Sequence, residues 1–230
     1  MISDFLSRRS MSVSVIFIIP GFFLGQGGDY LLKIVYICTN QSDFNMQFFH
    51  GSSAEPFERF SLDHALEGDG KAKFGWGVYV SEKYSTAAHY AFNKRRPENK
   101  DFYVYTVEIP DRTPDNCLSL LKGVPVAESI VRRVEAGLGE PVPREVCIEG
   151  IPFRKYLAKK LTGEKAASEF LCSLGVDLIE WPYDWKKPEA EKNMAVLDDK
   201  KVRIVRIEKV QLDPKRHRLI EGSQQIIKEF

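Results

Sequence analysis

Aromatic and β-branched residues run almost without interruption from Phe102 to Ile109, which is the clearest strand signal in the chain. Pro110 follows directly and predicts the end of that strand, because proline has no N–H to donate to a sheet. Shorter apolar runs bounded by glycine or polar residues predict further strands. These predicted strands are Phe48–His50, Gly77–Ser81, Val176–Trp181, Met194–Leu197 and Val202–Ile207.

Between these strands, apolar residues recur every three or four positions, as expected for helices with one buried face. Gly175 follows the last such segment and predicts a C-terminal cap, because glycine adopts the left-handed conformation at low cost. The predicted helical segments are a helix after Ser81-Glu82, a short turn or helix at Phe57–Leu66, a short helix at Leu118–Leu121, and longer helices at Val126–Leu138, Phe153–Leu161 and Glu164–Leu174.

Strands and helices follow one another without the regular strand–helix–strand order of a parallel sheet. The sequence therefore predicts an α+β fold with antiparallel sheets and flanking helices. We place the main domain at residues 46–210 and a charged, loosely helical tail at residues 211–230. Residues 1–45 form an N-terminal extension in this division.

The N-terminal extension contains a basic pair, Arg8-Arg9, followed by a nearly continuous apolar run from Val13 to Leu24. A basic flank before a short apolar run resembles a secretory signal, but no A-x-A-like cleavage site follows it. The run is also short for a membrane span. Two interpretations have equal weight: a genuine export or anchoring segment, and a start-site artefact with translation beginning at Met46. A buried strand has less weight.

Composition narrows the class of protein only slightly. The chain has 230 residues with 33 basic and 32 acidic side chains, a net charge of +1. This balance produces no global field that would attract nucleic acid or a membrane. The four cysteines are widely spaced and form no C-x-x-C pair, so we expect reduced thiols and no metal site. We expect a cytoplasmic protein, or a secreted effector if the N-terminal apolar run is a true signal.

Three short motifs stand in a fixed order between Phe48 and Tyr90. The first is Phe48-Phe49-His50-Gly51-Ser52, the second is Gly77-Val78-Tyr79-Val80-Ser81, and the third is Ala87-Ala88-His89-Tyr90. This order resembles the NAD-binding half of ADP-ribosyltransferases of the diphtheria-toxin and poly-ADP-ribose-polymerase type. The resemblance covers roughly residues 46–208 and is similar to that of ADP-ribosyltransferase domains in bacterial and phage polyvalent proteins.

The resemblance implies a split pair of antiparallel sheets and a role for each motif residue. His50 would bond a ribose hydroxyl, and the backbone of Gly51 would pair with the carboxamide of nicotinamide. Tyr79 and Tyr90 would pack against the two faces of the nicotinamide ring. Ser52 and Gly77 would complete the NAD-binding surface.

A fourth motif, Asn193-Met194-Ala195-Val196-Leu197, resembles the last conserved strand of the family. The family usually has an acidic residue where this chain has Asn193. An amide can position a ribose hydroxyl, but it cannot take a proton or bring a full charge to a cation. Glu191, two residues earlier, is either an auxiliary acid or one solvated charge in the run Glu189-Ala190-Glu191-Lys192. The local composition favours the solvated charge.

The sequence thus predicts a mono-ADP-ribosyltransferase, toxin- or effector-like, that uses NAD as co-substrate and modifies a macromolecular acceptor, a protein before a nucleic acid. The alternative is a catalytically weak or inactive module that binds NAD or ADP-ribose. The loop that begins Trp181-Pro182-Tyr183-Asp184-Trp185 carries aromatic residues suited to recognising a protein or a base. It is also consistent with a core Trp181 and an exposed Trp185 alone.

Overall fold

The structure, a computed structural model, describes residues 44–64, 73–93 and 101–230. Its strands all belong to one sheet. In chain order they are β1 Phe44–Ser52, β2 Val78–Ser81, β3 Phe102–Pro110, β4 Cys117–Ser119, β5 Leu178–Pro182, β6 Lys192–Val196, β7 Arg203–Val210 and β8 Gln225–Glu229.

Five α-helices and two short 3-10 turns connect these strands within the described residues. The helices are α1 Tyr84–Asn93, α2 Glu128–Leu138, α3 Arg144–Cys147, α4 Gly150–Lys160 and α5 Glu164–Ser173. The 3-10 turns are Leu62–His64 and Asp199–Lys201. The long helices coincide with the predicted ones, and Gly175 adopts the left-handed conformation expected after α5.

The strand order across the sheet is β4-β5-β6-β2-β1-β3-β7-β8. All neighbours are antiparallel except β4 and β5, which are parallel. The predicted α+β class is confirmed in this form. The sheet is joined at its centre by one registered pair between β1 and β2, Phe49 opposite Ser81. By contrast, β1 and β3 are paired along their whole length.

Alternate residues of the strands face opposite sides of the sheet and form separate cores. On one side Phe48, Val80, Tyr105 and Met194 pack together, and this core is closed by Phe60 from the loop after β1. The other side is covered by helices. The cores on that side contain Ala87, Ala88 and Val104 under α1, and Ile130, Phe153, Leu157, Leu171 and Ile179 under α2, α4 and α5.

Two predicted segments have a different structure. Leu118–Leu121 was expected to be helical, but Leu118 lies in β4, which pairs in parallel with β5. The leucines of this segment are buried at the edge of the sheet. A segment of four residues is too short to show the periodicity that distinguishes a strand from a helix. The tail from Asp213 was expected to be loosely helical, but it contains β8, which pairs with β7.

The predictions for the N-terminal extension lie outside the described residues, except that β1 begins at Phe44 and so includes the last two positions of that extension. The structure does not decide between an export segment and a start at Met46. Of the helices in residues 44–64, 73–93 and 101–230, none is long and apolar enough to cross a membrane.

Candidate functional site

His50 lies near the C-terminal end of β1, on the side of the sheet closed by Phe60. Its ring meets Phe60 edge-on at 5.0 Å between centroids, and its Nδ1 lies 2.7 Å from the carbonyl oxygen of Tyr79. Burial lowers the pKa of His50, and the bond to Tyr79 opposes this effect only in part. A carbonyl accepts only, so Nδ1 must carry the proton. The Nε2 lone pair of the neutral ring is therefore available to a hydroxyl.

Gly51 and Ser52 follow on the same strand. A β-carbon on Gly51 would lie 1.7 Å from the carbonyl oxygen of Ala87, so α1 packs directly on the backbone of β1. No side chain can be accommodated there without moving the helix. The Ser52 hydroxyl accepts a bond from the Ala54 N–H at 3.1 Å, which turns the chain away from the strand.

Tyr79 is fixed on the helix-covered side of β2. Its hydroxyl donates to the Gly75 carbonyl at 2.9 Å and accepts from the Phe74 N–H at 3.2 Å. Its ring tilts against Trp181, with the centroids 5.1 Å apart. Gly77 lies just before the strand and approaches the Val196 carbonyl so closely that a β-carbon would lie 2.5 Å from its oxygen.

Asn193 and Ser81 form a buried polar pair between β6 and β2. They are registered partners, and the Ser81 hydroxyl donates to Asn193 Oδ1 at 2.7 Å. Asn193 Nδ2 is buried and makes no hydrogen bond to the described residues. The hydroxyl of Tyr90, on α1, lies close to this amide. Burial raises the pKa of Tyr90. The neighbouring groups Tyr183 and Glu191 raise this pKa further, and the Asn193 amide opposes the increase.

Glu191 is buried, with 5% of its surface exposed. The sequence favoured a solvated charge here, and that interpretation was wrong. The antiparallel pairing of β5 with β6 is continued by a bond from the Tyr183 N–H to the Glu191 carbonyl, which holds Glu191 at the base of the loop. One carboxylate oxygen, Oε2, lies 3.4 Å from Lys83 Nζ. The other, Oε1, is buried without a hydrogen-bond partner among the described residues.

The structure therefore brings together Tyr90, Asn193 and Glu191 and adds Ser81 and Lys83, which the sequence analysis missed. Ser81 was detectable, since it stands two residues after Tyr79 and side chains alternate along a strand. The rings of His50 and Tyr79 are not brought together. Phe49 is the registered partner of Ser81, so the neighbouring His50 faces the opposite side of the sheet from Tyr79 and Ser81.

An open pocket of about 510 Å³ adjoins this cluster. Tyr90 lines it from α1, and the loop between β5 and β6 contributes Tyr183 and Trp185, which are 43% and 47% exposed. Trp181 is buried and belongs to the core, as one of the two interpretations of this loop predicted.

Within the described part of the chain, no group of three or more histidine, cysteine or acidic side chains is arranged to hold a metal ion. Comparison with known proteins adds nothing to this geometry: no family model matches the sequence, and no match is found among curated proteins or solved structures. A function is therefore inferred from the site and from the order of its motifs.

Proposed function

We propose that the chain is a mono-ADP-ribosyltransferase with an ADP-ribosyltransferase-like fold, which transfers ADP-ribose from NAD to a macromolecular acceptor. Support comes first from the motif order: His50-Gly51 ends one strand, Tyr79 lies on the next, Tyr90 lies on the following helix, and Asn193 begins a later strand. The narrow join between β1 and β2 is compatible with a sheet split into two halves.

The observation that carries the proposal is the pair of buried polar atoms without partners, Asn193 Nδ2 and Glu191 Oε1. Buried polar groups are nearly always hydrogen-bonded, so each exception requires an explanation. A ribose satisfies both, because one hydroxyl oxygen accepts from the Asn193 amide and a hydroxyl hydrogen is donated to Glu191. One donor and one acceptor, two residues apart in the chain, suit a pair of vicinal hydroxyls.

The same groups suit the chemistry of the transfer. The bond between nicotinamide and the ribose C1′ breaks, its electron pair leaves with nicotinamide, and C1′ develops positive charge. The Glu191 carboxylate would stabilise that charge. The acceptor nucleophile then bonds to C1′, and Glu191 can take its proton. Glu191 would thus supply the acidic group that Asn193 lacks.

The remaining residues would bind and orient NAD. His50 lies on the opposite face of the sheet from Asn193, so it would accept through Nε2 from a hydroxyl of NAD other than the pair bound by Asn193 and Glu191. Gly51 would offer its backbone to the carboxamide. Tyr90, kept neutral by its raised pKa, would pack against the nicotinamide ring. Tyr79, Gly77 and Ser52 would shape the strand ends that hold these groups, since the hydroxyl and ring of Tyr79 are already engaged.

The test is transfer of label from NAD to a host-cell lysate by the purified chain beginning at Met46, measured beside His50→Ala. We expect label on a discrete protein or nucleic acid band and loss of that label in the variant, with the fold retained by circular dichroism. Unchanged turnover of NAD in His50→Ala would refute the site assignment.

A second candidate is a binding module that holds NAD or ADP-ribose without turnover. It is favoured by the observation that Asn193 Oδ1 is already bonded to Ser81 and that Glu191 is partly neutralised by Lys83. It predicts measurable NAD binding with no release of nicotinamide. Nicotinamide release that appears only in Asn193→Glu would support this module, and release by the natural chain would exclude it.

A further inference from the structure

The pocket beside the candidate site has an arrangement that NAD turnover does not explain. Its far end is formed by Asn93, the last residue of α1, and by His89 one turn earlier. Asn93 Nδ2 lies 2.7 Å from His89 Nε2, and His89 Nδ1 lies 3.1 Å from the carbonyl oxygen of His217. These three groups form a short hydrogen-bond network at the edge of the pocket.

This hydrogen-bond network fixes the orientation of the Asn93 amide. The His217 carbonyl can only accept, so His89 Nδ1 must carry the proton and Nε2 must accept. The amide nitrogen of Asn93, and not its oxygen, therefore faces His89. One N–H and the carbonyl oxygen of the Asn93 amide are then left for a ligand. An oriented amide of this kind pairs with the edge of a nucleobase through one donor and one acceptor.

Two half-exposed aromatic side chains, Tyr183 and Trp185, line the same pocket as this amide. Trp185 is half exposed and its ring leans on Phe74 at 6.3 Å, while Tyr183 meets Tyr90 edge-on at 6.3 Å. The loop is ordered, because Asp184 accepts from the Lys186 N–H at 2.9 Å and its carbonyl accepts from the Lys187 N–H. Exposed rings held in place offer a stacking platform at low entropic cost.

We propose that this pocket binds a nucleobase, stacked on Trp185 and bonded at its edge to Asn93. Lys186, which also lines the pocket, is placed to meet a phosphate of the same nucleotide. The pocket volume lies within the range of small-ligand sites. If the acceptor of the proposed transfer is a nucleic acid, this pocket would present its base to the site; the binding itself does not require the transfer reaction.

The test is calorimetric titration of the full chain with AMP, GMP, CMP and UMP, and with short single strands of DNA and RNA. Binding that NAD does not displace supports the proposal: mononucleotides assign the pocket to free nucleotides, and strands alone assign it to nucleic acid. Binding that NAD displaces would place the adenine half of NAD here and overturn the proposal. Trp185→Ala should weaken binding of every base by about 5- to 100-fold, as expected for loss of one stacking partner.

Asn93→Asp should change the order of preference among the bases, because a carboxylate replaces the donor while keeping the shape. Trp76→Phe is the matched control: Trp76 lies under Lys165 of α5 and does not line the pocket, so its substitution should leave binding unchanged. Absence of binding by every nucleotide and strand, or undiminished binding in a folded Trp185→Ala, would overturn the proposal. Since no arm measures transfer, failure here leaves the proposed activity to its own test.

Discussion

At the scale of single residues, the candidate site is defined by polar groups that burial makes costly. His50, Asn193 and Glu191 all lose water, and two of their buried polar atoms, Asn193 Nδ2 and Glu191 Oε1, have no hydrogen-bond partner among the described residues. Neutral groups tolerate burial better than charged ones. Only Oε2 of Glu191 lies beside Lys83 Nζ, so its unpaired Oε1 is the least compensated atom of the site. A ligand that supplies a hydroxyl would gain most there.

Glu191→Gln should therefore reduce the transfer rate about 100-fold or more while leaving the chain folded, because the amide can neither take a proton nor stabilise a cation. The rate of nicotinamide release from NAD measures this. Glu189→Gln is the control, since Glu189 is exposed two residues earlier in the same loop. Equal rates in the two variants would remove Glu191 from the mechanism.

His50 links stability to pH. Its folded pKa lies below the ordinary value of about 6.5, so below that pH the unfolded chain binds more protons than the folded chain. The contribution of neutral His50 to the free energy of unfolding is fully present above pH 6.5. This contribution is lost as the pH falls toward the folded pKa of His50. We expect the melting temperature to fall between pH 6.5 and 5, with a smaller slope in His50→Gln. An identical slope in both proteins would contradict the burial of a neutral ring.

At the scale of elements, the contact between β1 and α1 sets the geometry of the site. The Gly51 backbone lies against the Ala87 carbonyl, and the same helix carries Tyr90 toward Asn193 and Asn93 toward the pocket. Small residues on both elements allow this approach, since Ala87, Ala88 and Ala91 are fully buried. The helix position therefore depends on the absence of one methyl group.

Gly51→Ala should destabilise the fold by about 1–3 kcal/mol or more, because the new methyl group meets helix backbone and not a flexible side chain. NAD binding should weaken with it, since α1 and Tyr90 must shift. Gly123→Ala is the control, as the new methyl group there meets nothing within 4 Å and costs only left-handed strain of about 1 kcal/mol. Urea denaturation of both variants measures the difference. A similar loss of unfolding free energy in Gly51→Ala and Gly123→Ala would show that α1 moves freely.

At the scale of the whole molecule, β8 completes one edge of the sheet. It pairs with β7 and adds ion pairs from Lys228 to Glu58 and from Glu229 to Arg206. Its side chains are largely exposed, including Ile226 and Ile227. It therefore contributes through backbone pairing and by covering the edge of β7.

Removal of residues 224–230 should lower the melting temperature by several degrees, equivalent to about 1–2 kcal/mol for a domain of this size. The exposed edge of β7 should also promote association at high protein concentration, which sedimentation can detect. Removal of Phe230 alone is the control, because it keeps every registered pair of β7 with β8 and removes only the bond from the Phe230 N–H to the Val205 carbonyl. A truncated chain with unchanged stability would show that β8 does not contribute to stability.

The sequence predicted those parts of the fold in which the local pattern is long enough to have a period. The nine residues of β3 and the long helices α2, α4 and α5 agree with that prediction. The prediction failed at Leu118–Leu121, a segment of four residues that fits a strand and a helix equally well, and at β8, whose exposed residues carry no burial pattern. For the candidate site, the residue types and their order were readable, but their grouping was not.

The sequence by itself determined the α+β class, the strong helices and strands, and the order of the His-Gly, Tyr and Asn motifs, because these depend on neighbours within one turn or one strand. Only the tertiary structure decided that Glu191 is buried and that the Ser81 hydroxyl donates to Asn193. The same holds for the hydrogen-bond network of Asn93, His89 and the His217 carbonyl. The physical reason is that burial and hydrogen-bond partners are set by strand register and helix contact, which join residues far apart in the sequence.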